Sequence, residues 1–381
     1  MSVNVQLLWF PAQVGKVQTT HERDFGGSVS INLKKRHIVQ LYSITGFMGM
    51  VLGNTLMVSV RVLFTMFMPS CLLWAERPLV AAYHPSLATG KVETQLLEME
   101  YGGREVPMKI YLPAQKHAPV ILLSHGLGGS REVGSYLGNH WAARGYAVVA
   151  MQHVGSDISV IKDAPIAQRF KALKNAASIQ SFIDRTKDVP AVIDQITQWN
   201  AQKDHLFFAR FDMSKLGIGG HSYGAITSQA LSGQKYGALG DKYTDKRIKA
   251  ALMLSPSPTK AGKNKEAFGH IQIPWMLMTG TKDTSAVKPD LRPEDRLKVY
   301  ESLQATGNKY QLVLKDAKHM AFSDRTLLGI QHRNKNHHQS IIALSSAYWD
   351  MHLKGDMEAK AWLHGDGPRR QLDEGDLWQR K

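Results

Sequence analysis

The apolar run "LGIGG", Leu216–Gly220, ends in Gly220-His221-Ser222-Tyr223-Gly224 and passes straight into the helix-like "YGAITSQALSG". No other stretch restricts the fold as tightly. The pattern G-x-S-x-G marks a turn that carries a strand into a helix and lifts a serine above the end of a sheet. Gly220 and Gly224 let strand and helix approach closely around a strained serine backbone. The pattern is weak alone, so its surroundings decide what it means.

Those surroundings alternate strand-like and helix-like segments. The strand readings are Thr94–Tyr101, Val106–Leu112, Val120–Ser124, Ala147–His153, Leu216–Gly220, Ala250–Leu254, Trp275–Thr279 and Tyr310–Leu314. Several are short continuous apolar runs, as strands buried on both faces require. Helices are predicted at Arg131–Arg144, Val189–Asn200, Pro293–Thr306 and His338–Leu353. The first two strands run in hairpin order and the rest alternate with helices. This predicts an α/β fold, a doubly wound and mostly parallel sheet of about eight strands with helices on both faces. It occupies one catalytic domain over 76–360, with a polar, loosely held tail over 361–381. Ser156–Lys187 exceeds what one βα connection needs. Within it, "PIAQRFKALKNAASIQSFIDR" reads as a helix, either a small cap over the site or, the reading preferred, an ordinary surface helix.

Residues 1–75 form an N-terminal extension. Ile38–Val60 is an uncharged, mostly apolar run behind Lys34-Lys35-Arg36. As a helix it spans roughly 35 Å, enough for a membrane anchor. Val62–Ala75, at roughly 21 Å, is too short to span but suits a signal peptide cleaved after Ala75. Read from Met57, with Arg61 as its basic region, that signal is compact, and the residues before it belong to an upstream translation start. Met68-Pro69-Ser70-Cys71 departs from a lipobox at Met68. The expectation is an exported protein, periplasmic or secreted, with membrane anchoring through the N-terminus as the alternative. The single cysteine, Cys71, leaves no internal disulfide. A net charge of +15 is spread along the chain, with no basic stripe interleaved with aromatics, so no nucleic-acid partner is expected.

A serine hydroxyl becomes a nucleophile only when a base takes its proton and a carboxylate holds the base. In this architecture the acid and the histidine follow the serine in that order, each on a loop at the carboxyl end of a later strand. Asp283 in "PWMLMTGTKDT" and His319 in "YQLVLKDAKHMAF" meet both conditions. Asp316 is the rival acid, but it shares a loop with His319. The oxyanion needs backbone donors. The amide of Tyr223 is one candidate, and that of Leu127, in the glycine-rich "VILLSHGLGGSR", is the other. His125 and His153 are read as structural, and His221 as a free position of the turn. Trp275 is read as core. His332, His337 and His338 lack the spacing of metal ligands, so no metal is expected.

With these residues in hand, the chain resembles the α/β-hydrolases of the predicted dienelactone hydrolase group, related to platelet-activating factor acetylhydrolases and cutinase-like polyester hydrolases. "SHGLGGSR", "GHSYGA", "GTKDT" and "KHMAF" carry the resemblance, which covers roughly Val92–Leu353. It implies a Ser222 nucleophile, Asp283 acid, His319 base and Leu127 and Tyr223 oxyanion amides. It also implies no cofactor, and a small-molecule or polymer-derived ester as substrate. Dienelactone hydrolases proper carry cysteine where this chain has Ser222, which points to ordinary ester hydrolysis. Leu127 and "LSPSPTK" stand where polyester hydrolases place aromatic residues, which argues against a polyester. A prolyl-oligopeptidase-type peptidase shares the order of the three residues but needs a propeller domain ahead of it. A catalytically inactive binding protein is the remaining alternative.

Overall fold

The computed structural model describes residues 29–33, 37–41 and 83–381, save 163, 260–261 and 325–333. Two compact units result, Met1–Val80 and Ala81–Lys381. In the first, β1 (Val29–Leu33) pairs antiparallel with β2 (His37–Leu41). Ile38–Leu41, the start of the expected spanning run, is therefore strand. The rest of that run and the expected signal segment lie outside the described residues.

The second unit is built on a nine-stranded sheet. Its strands are β3 (Val92–Tyr101), β4 (Arg104–Pro113), β5 (Ala118–Ser124), β6 (Ala147–Met151), β7 (Phe211–His221), β8 (Ile248–Leu254), β9 (Trp275–Lys282), β10 (Lys309–Lys318) and β11 (Leu377–Arg380). They lie in the order β11-β10-β9-β8-β7-β5-β6-β4-β3. Every neighbour pair from β6 across to β10 is parallel, while β3, β4 and β11 run antiparallel to their neighbours. The eight expected strands are all present.

The central strands explain themselves chemically. Every residue of β5 is buried; Val120 and Leu122 join one core while Ile121 and Leu123 join the other. Side chains alternate across a sheet, so a strand covered on both faces must be apolar throughout. One face packs on Val192, Ile193 and Ile196 of a long helix. The opposite face packs on Trp141, Leu344 and Trp349, with the two indoles edge-on at 5.8 Å. Each fully buried indole removes roughly 200 Å² from water, on the order of 5 kcal/mol of gross transfer energy.

Three sequence readings change. The C-terminal residues are not a loose tail: Gly367–Gln371 is helical, and β11 closes the sheet edge, with Trp378 stacked on Tyr310 at 5.8 Å. Lys309 and Lys381 exchange backbone bonds of 3.0 and 2.9 Å there. The helix read at Val189–Asn200 begins earlier, at Ile179, and runs to Ala201 through Pro190; its buried face offsets the bond that proline cannot make. Finally, "PIAQRFKALKNAASIQSFIDR" is two helices, Ile166–Ala176 and the start of Ile179–Ala201, broken where Ser178 caps the second by accepting from the Ser181 amide. The first buries none of its residues in the core, and Phe170 and Leu173 on it wall the cleft described next. The first helix is thus a surface helix, as preferred, and in addition borders the cleft.

Candidate active site

Strand β7 ends at His221, and the helix Tyr223–Leu231 starts immediately after Ser222. The serine backbone has φ 57° and ψ −111°, a conformation that costs a non-glycine residue about 1–3 kcal/mol. Its amide donates to the Leu254 carbonyl at 2.9 Å, which helps to hold the turn. Gly224 is required by contact: a Cβ there would stand 1.9 Å from the Ser124 carbonyl oxygen.

Strand β9 leads to Asp283 and β10 leads to His319. Gly280 lets these strands close on each other, because a Cβ would fall 2.2 Å from the Ala317 oxygen. Ser222, His319 and Asp283 then stand in one hydrogen-bonded line. His319 Nδ1 is 2.7 Å from Asp283 Oδ1 and its Nε2 is 2.8 Å from Ser222 Oγ. A carboxylate only accepts, so Nδ1 carries the hydrogen and Nε2 is left to accept the serine proton. Burial alone pushes the Asp283 pKa up. The hydrogen bond and charge of His319, then the Arg296 guanidinium, outweigh it and hold the group below the usual carboxylate range. Thr279 Oγ1 donates to Asp283 Oδ2 at 2.8 Å, and Arg296 Nε lies 3.2 Å from Oδ1. The rival, Asp316, pairs with Lys282 at 2.7 Å on the surface and makes no bond to His319.

The residues bearing the two candidate amides line the same cleft as Ser222 and His319. Tyr223 opens its helix, so its N–H is one of the first-turn donors without a helical acceptor. The Gly126 carbonyl accepts from the Gly129 amide at 3.0 Å and from His125 Nδ1 at 2.6 Å. In a trans peptide the N–H of the next residue, Leu127, points the opposite way. Leu127, Tyr223, Ser222 and His319 all line one cleft of about 950 Å³, whose walls include Phe170, Leu173, Phe182, Ile226, Tyr236 and Val287.

Two residues that matter here, Arg296 and Arg185, escaped the sequence reading, and a third, His221, has a role that reading did not give it. Arg296, 1% exposed, donates to the carbonyls of Asp283, Ser255 and Pro256. His221 is no idle position: Nε2 donates to the His319 carbonyl at 2.9 Å, and the two rings lie 4.7 Å apart. Arg185 lies behind the glycine-rich loop. None has a local signal, since each meets partners distant in sequence. Elsewhere, His153 Nδ1 bonds Asp188 at 2.9 Å, His337 Nε2 bonds the Lys315 carbonyl and His338 stacks on Tyr136; His332 lies outside the described residues. Trp275 is fully buried.

The buried histidines carry a prediction. Burial lowers His153 to about 4 and His221 to about 3, both below the unfolded value near 6.5. Between those limits the unfolded chain binds more protons, so stability falls as pH drops from about 6.5 toward 4. Lowered Asp283 acts in a separate, more acidic window, below its unfolded value of about 4. Urea midpoints should therefore decline between pH 7 and 4.5; a flat series contradicts neutral burial of these rings.

Two comparisons bear on this arrangement. A family model described as platelet-activating factor acetylhydrolase, isoform II, matches residues 86–162, which hold β3 to β6 and the glycine-rich loop. The platelet-activating factor acetylhydrolase of Cavia porcellus is 26% identical over 243 residues, 54% of this chain and 51% of that protein. The chain thus spans about half the length of the curated relative it matches. By its sheet order, its strand-to-helix turn and these two likenesses, the chain has the α/β-hydrolase fold and is similar to the platelet-activating factor acetylhydrolases.

Proposed function

We propose that the protein is a serine hydrolase that cleaves carboxylic esters through an acyl-Ser222 intermediate. The observation that carries this is the line Ser222–His319–Asp283, with bonds of 2.8 and 2.7 Å opening on a largely apolar cleft. Ser222 Oγ attacks the ester carbonyl carbon as its proton passes to His319 Nε2. Negative charge gathers on the carbonyl oxygen, which the Leu127 and Tyr223 amides receive. Collapse breaks the ester bond, and the alcohol leaves with the proton from His319. Water then attacks the acyl carbon as His319 takes its proton; the bond to Ser222 Oγ breaks, His319 returns the proton to Oγ, and the acid leaves. Asp283 keeps the imidazole oriented and balances its charge when protonated.

The name of the relative, an acetylhydrolase, supports an ester rather than a peptide substrate. The Phe170 and Leu173 wall suits an apolar acyl or alcohol group. A fluorophosphonate probe tests the reading. The folded protein should be labelled on Ser222 within minutes, and Ser222→Ala should not be labelled. A folded protein that resists the probe sinks it.

A further inference from the structure

We propose that Arg185 is a positioning residue that fixes both oxyanion-binding amides at once. This rests on the acyl-serine reading above. Arg185 belongs to the helix Ile179–Ala201 and is fully buried, yet no carboxylate pairs with it among the described residues. A buried charge without a direct ion-pair partner is expensive, and Asp188 and Asp157 attract this one only from beyond contact distance. What the guanidinium touches explains its presence.

On one side it holds the glycine-rich loop. Nη1 donates to the His125 carbonyl at 2.8 Å and to Ser124 Oγ at 3.3 Å, while Nε donates to Ser156 Oγ at 2.8 Å. His125 in turn accepts the His153 amide on Nε2 at 3.0 Å, which leaves its hydrogen on Nδ1. That hydrogen goes to the Gly126 carbonyl, a bond that fixes the peptide carrying the Leu127 amide. Arg185 thus anchors the residue that aims the first donor.

On the other side it holds the second donor. The guanidinium carbon lies 4.4 Å from the centre of the Tyr223 ring, and Tyr223 Oη donates to the Ser178 carbonyl at 3.1 Å. A cation over an aromatic face is attracted to it. One rigid fork therefore spans the loop bearing Leu127 and the residue bearing the other amide. One turn further along the helix, Asp188 accepts from Arg104 and from His153 Nδ1. His153 Nε2 then takes the Ser124 hydrogen, which presents the Ser124 lone pair to Arg185. Burial draws the Arg185 pKa down to about 10, so the positive charge persists at neutral pH behind the amides.

The test separates transition-state from ground-state binding. Arg185→Met should lower kcat on a p-nitrophenyl ester about 10²–10³-fold, the loss typical of a damaged oxyanion site, with KM changed less than about threefold. Affinity for phenylboronic acid, which forms the tetrahedral adduct, should fall in the same proportion, while affinity for the ether analogue of the substrate holds. Arg185→Lys should recover part of the loss, because it keeps the charge but not the fork. Should Arg185→Met not fold, Arg185→Lys alone carries the test, with a loss of about tenfold and the same selectivity for the boronate. Asp350→Asn, which breaks a buried pair with Arg144 outside the cleft lining, should lower the melting temperature and leave the boronate-to-ether ratio near that of the wild type. The assignment is overturned if the Arg185 variants keep kcat within about threefold, or lose boronate and ether affinity equally. A wild-type protein that neither turns over esters nor takes the fluorophosphonate overturns the hydrolase reading first, and this assignment with it.

Discussion

Ser222→Ala and His319→Ala should each lower kcat by roughly 10⁴-fold or more, and the double variant should be no slower than the slower single. The geometry dictates both halves of that expectation. Among the described residues, Nε2 of His319 has one partner in the cleft, Ser222 Oγ at 2.8 Å. Without the hydroxyl the imidazole has no proton to take; without the imidazole the hydroxyl stays protonated. Either change removes the same event, so the losses cannot add. Residual turnover should come from the amides and from binding, which act on water attack as well. Steady-state rates on a p-nitrophenyl ester, with folding checked by circular dichroism, measure this. A double variant slower than either single by a further factor of about 100 means the two residues act in separate steps, and the assignment of the pair fails.

How much of this could be read from the chain depends on the range of the forces involved. Buried strands announce themselves locally: "APVILLS" and "WMLMTG" are continuous apolar runs because both faces are covered. The loops at their carboxyl ends then locate Ser222, Asp283 and His319 by position alone. Strand β11 has no such signature. "LWQR" sits at an edge, buries only part of Trp378, and is held by backbone pairing that any sequence can supply. The part that the helix Ile166–Ala176 plays in the cleft is illegible for a related reason. Phe170 and Leu173 on it line a cleft instead of the core, and sequence periodicity does not distinguish those two destinations. Arg185, Arg296 and His221 are further still from legibility, since an arginine or histidine code letter does not say which carbonyl it will meet. Their partners lie on other loops, brought together only when the sheet is complete.

Asp283→Asn should lose about 10²–10³ in kcat, while Asp316→Asn should stay within about twofold of wild type. The cause lies in the donors around Asp283. The Oδ1 position faces both His319 Nδ1 and Arg296 Nε, so in the variant the amide oxygen belongs there and the NH₂ group turns to Thr279. A threonine hydroxyl can rotate from donor to acceptor and tolerate that exchange. The imidazole then keeps its tautomer, and what disappears is the negative charge that balances His319 when it holds the serine proton. Arg296, 1% exposed, simultaneously loses its only carboxylate among the described residues. Breaking a buried pair costs about 3–5 kcal/mol, although the three carbonyls it retains should keep the variant folded. Asp283→Asn is thus expected to be slower and also less stable in urea, whereas Asp316→Asn removes only an exposed pair with Lys282, worth little in water. Measuring kcat and urea midpoints for both variants decides the matter. A fast Asp283→Asn beside a slow Asp316→Asn would transfer the role of acid to Asp316, and with it the geometry derived for the base.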